Sequence, residues 1–315
     1  MAVMSTATVY ATFAAGEAHG VSPAYERLSY GVSGDAELIA LLDLLPEAKR
    51  QPNLLFGVVR WLGGPVEDPA EFRAFVQANW PTVEAAMRDR ATQTNEAGRC
   101  AVLLPVLAAL PQPLALLEVG ASAGLCLYPD RYAYRYGDRT VGTGTPLLEC
   151  AAVGVAPPAA RPEVVWRAGL DLNPLDVTEA ADVAWLEALI WPEHSHRRER
   201  LRAAAAVAAA EPPLLIRGDL VDDLPALAAQ APAGATLVVF HTSVLYQVPE
   251  PRRSAFVDLV QSLPGHWLAN EAADVLATGP LPEPPDSGLH NVLTLDGRPL
   301  AYTRSHGQAM TWFTG

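Results

Sequence analysis

The residues of this chain best suited to chemistry lie in one stretch, Leu114-Ala115-Leu116-Leu117-Glu118-Val119-Gly120-Ala121-Ser122-Ala123-Gly124. A short apolar run of this kind reads as a buried strand, and the small residues after it read as a tight turn into a helix. Glycine supplies unusual turn geometries and lets a backbone approach a ligand closely. The free N–H groups at the start of the following helix would face whatever lies over the turn. Glu118 adds a fixed acceptor, suited to a ligand with an amine or hydroxyl groups. Polar residues recur at the ends of later apolar runs: Asp171, Asp219, His241 and Glu271.

Strands alternating with helices must carry these residues. Strands are expected at 114–119, 132–136, 164–170, 214–217, 236–241 and 267–269, followed by a hairpin over 291–304. Helices are expected from Thr178 to 190, from 195 to 210, around Leu224, and from 254 to 263. Such alternation implies a mostly parallel sheet covered on both faces. Ligands of such sheets sit at the carboxyl ends of the strands, so Glu118, Asp171, Asp219, His241 and Glu271 should share one rim. Residues 1–110 read as a helical domain, with Asp35 and Asp68 as caps and Pro52 opening a helix that stops at Gly63-Gly64. Pro111 and Pro113 mark the expected boundary to an α/β domain over 111–315.

Composition narrows the function classes. The 315 residues carry a net charge of −13, and their only basic block is Arg197, Arg198, Arg200 and Arg202. This argues against nucleic acid and anionic membrane and favours a small-molecule partner. Cysteines 100, 126 and 150 form no Cys-x-x-Cys pair, which points away from zinc and a disulfide framework and toward a reducing cytoplasm. No leader pattern opens the chain, and no apolar run approaches the roughly 20 residues of a membrane span.

The central stretch resembles the first motif of class I S-adenosylmethionine-dependent methyltransferases, Glu/Asp-x-Gly-x-Gly-x-Gly. Glu118, Gly120 and Gly124 match, and Ser122 replaces the middle glycine. The resemblance covers residues 114–315. It implies a Rossmann-like sheet with an antiparallel last strand, S-adenosylmethionine held by Glu118, Gly120, Ser122 and Gly124, and a small-molecule methyl acceptor. It further implies Asp171 on the ribose hydroxyls and Gly218-Asp219-Leu220 beside the adenine. If 132–136 is the second strand, Asp138 takes the ribose instead. The whole chain also resembles an uncharacterised bacterial domain family of unknown function, which implies no activity.

Two other function classes stay open. Residues 120–124 read equally as Gly-x-Ser-x-Gly, the nucleophile elbow of α/β-hydrolases, with Ser122 as nucleophile. Asp219 ahead of His241, His266 or His290 keeps a workable triad order, although a hydrolase needs strands upstream of 114, where the chain reads as helical. The third class is a cradle that binds without turnover.

His241 is the candidate general base, since histidine titrates near neutral pH, with Tyr246 beside it as a further catalytic residue. The bland alternative for His241 is a hydrogen-bonded core histidine, and for Asp171 and Asp219 it is capping of turns. The polar run over 90–99 is either a loop with a cap or a wall of the pocket. In the second case Gln93, Asn95 and Glu96, with Tyr25, line the substrate side and the helical part acts as a lid. Glu193, His194 and His196 make too thin a cluster for a metal site, and none is expected.

Overall fold

Leu114–Val119 does form a strand (β1), buried at every residue. The computed structural model describes residues 4–276 and 278–313 and divides into two units. One holds the chain up to Thr94 together with Glu179–Glu199; the other holds Asn95–Thr178 and everything from Arg200 onward.

The first unit is helical, and two of its helices begin at the expected caps. Asp35 accepts from the N–H groups of Glu37 and Leu38 ahead of the helix Ala36–Leu42. Asp68 does the same for Ala70 and Glu71 ahead of Pro69–Ala78. Pro52–Trp61 starts on its proline, whose missing N–H costs nothing in the first turn. Its Gly57 leaves room for Leu189 and Trp185 of the helix Ala180–Leu189; a Cβ there would lie 2.8 Å from the Leu189 methyl. That helix starts after Glu179 with no side-chain cap, two residues later than the expected start at Thr178.

The second unit carries the sheets. Its strands after β1 are β2 (Ala133–Tyr136), β3 (Arg139–Val141), β4 (Leu147–Glu149), β5 (Ala151–Val153), β6 (Val164–Asp171) and β7 (Leu214–Arg217). Then follow β8 (Thr236–Thr242), β9 (His266–Ala272), β10 (Asn291–Leu295), β11 (Arg298–Thr303) and β12 (Ala309–Trp312). The main sheet runs β5-β12-β11-β10-β9-β8-β1-β6-β7, and β3-β2-β4 form a small second sheet. Strands β7, β6, β1, β8 and β9 are parallel. Strand order reverses at β1, the kind of point where open α/β sheets bind ligands. The hairpin β10–β11 adds an antiparallel edge, and β12, which was not foreseen, extends it.

Alternation sorts the two faces. Leu117, Val119, Leu237, Val239, Trp267 and Ala269 face a core that includes Phe256 and Val260 of the helix Glu250–Ser262. Glu118, Phe240, Thr242 and Asn270 fall on the other face.

Two expectations change. The boundary lies at Thr94/Asn95 rather than at Pro111, because the helix Cys100–Leu107 is buried at every residue and belongs with the sheet. No helix follows the turn after β1: the chain makes a single 3-10 turn, Leu125–Leu127, and goes on into the small sheet. Asp138 therefore lies in the β2–β3 hairpin of that sheet, and β6 is the parallel neighbour of β1. Among the described residues no helix is long and apolar enough to cross a membrane.

Candidate functional site

The turn after β1 is held almost entirely by protein groups. Gly120 and Ala121 donate to the carbonyl of Leu170, at 2.7 and 3.2 Å. Ser122, in the left-handed region at φ +52°, donates to Asp171 Oδ2 at 2.7 Å, and its carbonyl accepts from Leu175. Such a conformation costs about 1–3 kcal/mol in a residue with a Cβ and persists only when the surroundings fix it. Asn95 clamps the turn from both sides, donating to the Ala121 carbonyl and accepting from Leu125 N–H, each at 3.0 Å. The carbonyls beyond are met by side chains: Leu125 by Tyr132, Leu127 by Arg167, and Pro129 by Tyr134. These bonds do what the expected helix would have done, since buried backbone groups need partners of some kind.

The space over Gly120 is also filled. Gly120 has φ +69°, and a Cβ on it would lie 2.5 Å from one methyl of Val244 and 2.8 Å from the other. Gly124 faces Pro213 and Leu215 rather than an opening. The glycines thus serve close contact within the protein.

The acids of the β6–β7 side are engaged in turns. Asp171 holds Ser122 N–H with one oxygen and Asn173 N–H with the other, both at 2.7 Å. Asp219 accepts from Val221 and Asp222 N–H and pairs with Arg252. Partial burial raises the Asp219 carboxyl, but those hydrogen bonds and the guanidinium outweigh it and hold it below the usual range. Gly218 is needed because Asp223 caps this turn: a Cβ would meet its Oδ2 at 2.6 Å. Leu220 packs against the neighbouring core.

Glu118 differs. Its side chain ends β1 at 2 % exposure, and Oε2 has no hydrogen-bond partner among the described residues. Burial, and next the Cys126 thiol beside it, push its carboxyl well above the usual carboxylate range; Arg99 pulls the other way. A buried acceptor left unmet costs about 1–3 kcal/mol, so a fold that keeps one needs a reason.

On the β8–β9 side Arg99 is buried and donates to the Thr242 carbonyl (2.8 Å), the Thr242 hydroxyl (3.1 Å) and the Ser305 carbonyl (2.9 Å). Asn270, fully buried, accepts from the Thr303 hydroxyl at 2.7 Å, while its Nδ2 has no partner among the described residues. The expected strand over 267–269 stops just short of Asn270, which is not among the expected site residues. Its signal was an amide next to an acid within the apolar run of β9.

His241 lies inside the sheet rather than on the rim, with no exposed surface. Trp267 Nε1–H donates to its Nε2 at 2.9 Å, and its Nδ1 is 2.7 Å from Glu271 Oε1. An indole N–H can only donate, so Nε2 is the acceptor and Nδ1 carries the proton to Glu271. Neither nitrogen is left to take a substrate proton, and the ring packs edge-on to Phe256. The same Glu271 oxygen accepts Val244 N–H at 2.8 Å, which ties this pair to the residue over Gly120.

The other expected residues divide between the units. Glu96 lies in the sheet unit, where it accepts from Gly98 N–H and from Arg200 at 2.7 and 3.1 Å. It is a structural pair there, as Asn95 is a clamp. Tyr25 and Gln93 belong to the helical unit. Tyr25 is buried there between Phe56 and Trp191, at ring distances of 4.8 and 5.6 Å, so it serves as core. Gln93 is half-buried in a stretch without regular structure. Tyr246, 60 % exposed, sits on the 3-10 turn Leu245–Gln247. Glu193 accepts from Ser22 and Ala24 in the helical unit. Among the described residues no three His, Cys, Asp or Glu side chains gather as a metal site.

No curated protein and no solved structure matches the chain. The profile of one family, described as "Uncharacterized protein conserved in bacteria (DUF2332)", matches residues 7–312, nearly the whole length. The chain belongs to that family.

Proposed function

We propose that this protein binds a small polar molecule at the carboxyl edge of β1, with Glu118 taking its donor group. The observation that carries the reading is the unpartnered, buried Glu118 Oε2 at the strand where the sheet order reverses. S-adenosylmethionine-dependent methyl transfer to a small molecule is the activity to test first. The parallel order β7-β6-β1-β8-β9 and the acids ending β1 and β6 support it. Against a close fit stand Val244 over Gly120, the missing helix N-terminus, and the prior engagement of Asp171 and Asp219. A cofactor lying against the turn requires Val244 to move.

Calorimetric titration with S-adenosylmethionine and its demethylated product is the test. Saturable heat that Glu118→Ala removes supports the methyltransferase reading, and absence of heat with both ligands at millimolar concentration sinks it.

One observation favours the hydrolase reading: the left-handed Ser122, whose buried hydroxyl has no partner among the described residues. It lacks the following helix, and His241 has no nitrogen to spare. A fluorophosphonate probe should leave Ser122 unlabelled. The sealed His241 instead favours binding without its help as a base, so turnover across a broad panel of acceptors would have to use another group.

A further inference from the structure

Glu118 Oε2 and Asn270 Nδ2 are both buried and both without a partner among the described residues. They belong to one place. Register sets Glu118 beside Phe240 and Thr242 beside Asn270, with β8 between β1 and β9. Two strand spacings of about 4.8 Å and a two-residue rise of about 3.3 Å each put their Cα atoms roughly 12 Å apart on one face.

The two ends are chemically opposite. The hydrogen bond that Asn270 Oδ1 accepts from Thr303 orients the amide and leaves its N–H₂ as the donor to be met. Arg99, anchored on the adjacent Thr242, adds positive charge beside Asn270 and is also felt by Glu118. Glu118 offers an acceptor.

We infer that Glu118 and Asn270 form the two ends of a binding site for a small zwitterion of the amino-acid class, its ammonium on Glu118 and its carboxylate on Asn270 beside Arg99. The inference rests on Glu118 as a ligand-binding residue and not on the identity of any cofactor. An ammonium on Glu118 favours the ionised carboxylate, whereas burial alone favours the protonated acid, so binding releases a proton.

The test is calorimetry on the full chain at pH 7 in phosphate and in Tris. The probes are the protein amino acids, β-alanine, 4-aminobutyrate, n-butylamine and butyrate. At least one amino acid should bind saturably, with the amine and the acid alone at least tenfold weaker. Its heat should differ between the buffers for the wild type and not for Glu118→Gln. Asn270→Asp keeps the Thr303 bond and replaces the free donor, and it should weaken that amino acid at least tenfold. The methyl ester of the same amino acid, tried on the wild type, should lose as much, which keeps the test independent of how the variant folds. No binding by any amino acid, or equal binding of the ester, overturns the inference. Binding of S-adenosylmethionine without any amino acid would sink this inference alone; the reverse would sink the cofactor reading alone.

Discussion

The two sides of the carboxyl rim use their polar residues in opposite ways. On the β6–β7 side, Asp171 and Asp219 spend their oxygens on backbone N–H groups and Arg252. Across β1, Glu118 and Asn270 each keep one polar atom without a partner at 2 % and 0 % exposure. The first arrangement lowers the free energy of the fold. The second raises it, by about 1–3 kcal/mol per unmet group, and so marks where a ligand would be worth most. Acids at strand ends are thus not equal evidence of a site; the difference lies in whether the turn beyond has already claimed them.

Substitutions on the two sides should separate these roles. The largest effect is expected beneath the rim, at His241. His241→Leu strips a partner from each of Trp267 and Glu271, and leaving two buried polar groups short of a partner costs about 2–5 kcal/mol together. Urea unfolding checks it, and a stable variant would reopen His241 as a base. Asp171→Ala should follow at about 2–3 kcal/mol, because two backbone N–H groups lose their acceptor. A variant of unchanged melting temperature would show that Asp171 is free for a ligand after all. Gly120→Ala should cost about 1–3 kcal/mol through its positive φ and the Val244 contact. Adding Val244→Ala should recover part of this in a double-mutant cycle, and strictly additive losses would mean that Val244 does not press on the turn.

Much of the scaffold was legible in the sequence. Apolar runs marked the five parallel strands of the main sheet at nearly their observed positions, because buried parallel strands leave long apolar tracts. Asp35, Pro52 and Asp68 announced their helices through local capping chemistry. The failures share a cause, which is partnership across long separations. Residues 120–124 look the same whether a helix follows or not. What replaces the helix is Asn95 upstream and Tyr132, Tyr134 and Arg167 downstream. Val244 reaches Gly120 from the far end of β8, and nothing near Gly120 signals it. His241 ends an apolar run as a rim histidine would, yet Trp267 and Glu271 on the next strand enclose it.

The central claim is that the fold leaves Glu118 buried and unmet for a ligand, and its dependence on pH tests this without knowing the ligand. Burial raises the carboxyl of folded Glu118 well above its value in the unfolded chain. Below the ordinary carboxylate range both states hold the proton, and this part of the stability is intact. As pH rises beyond that range the unfolded chain ionises freely, and stability drains away until the raised folded value is passed. Glutamine has no such proton to lose. The melting temperatures of wild type and Glu118→Gln should therefore be compared from pH 4.5 to 8 in the absence of ligand. The account predicts that the variant gains on the wild type as pH rises through and beyond the ordinary carboxylate range. A variant that is equally or less stable throughout would mean that Glu118 is a satisfied structural acid, and the claim would fail.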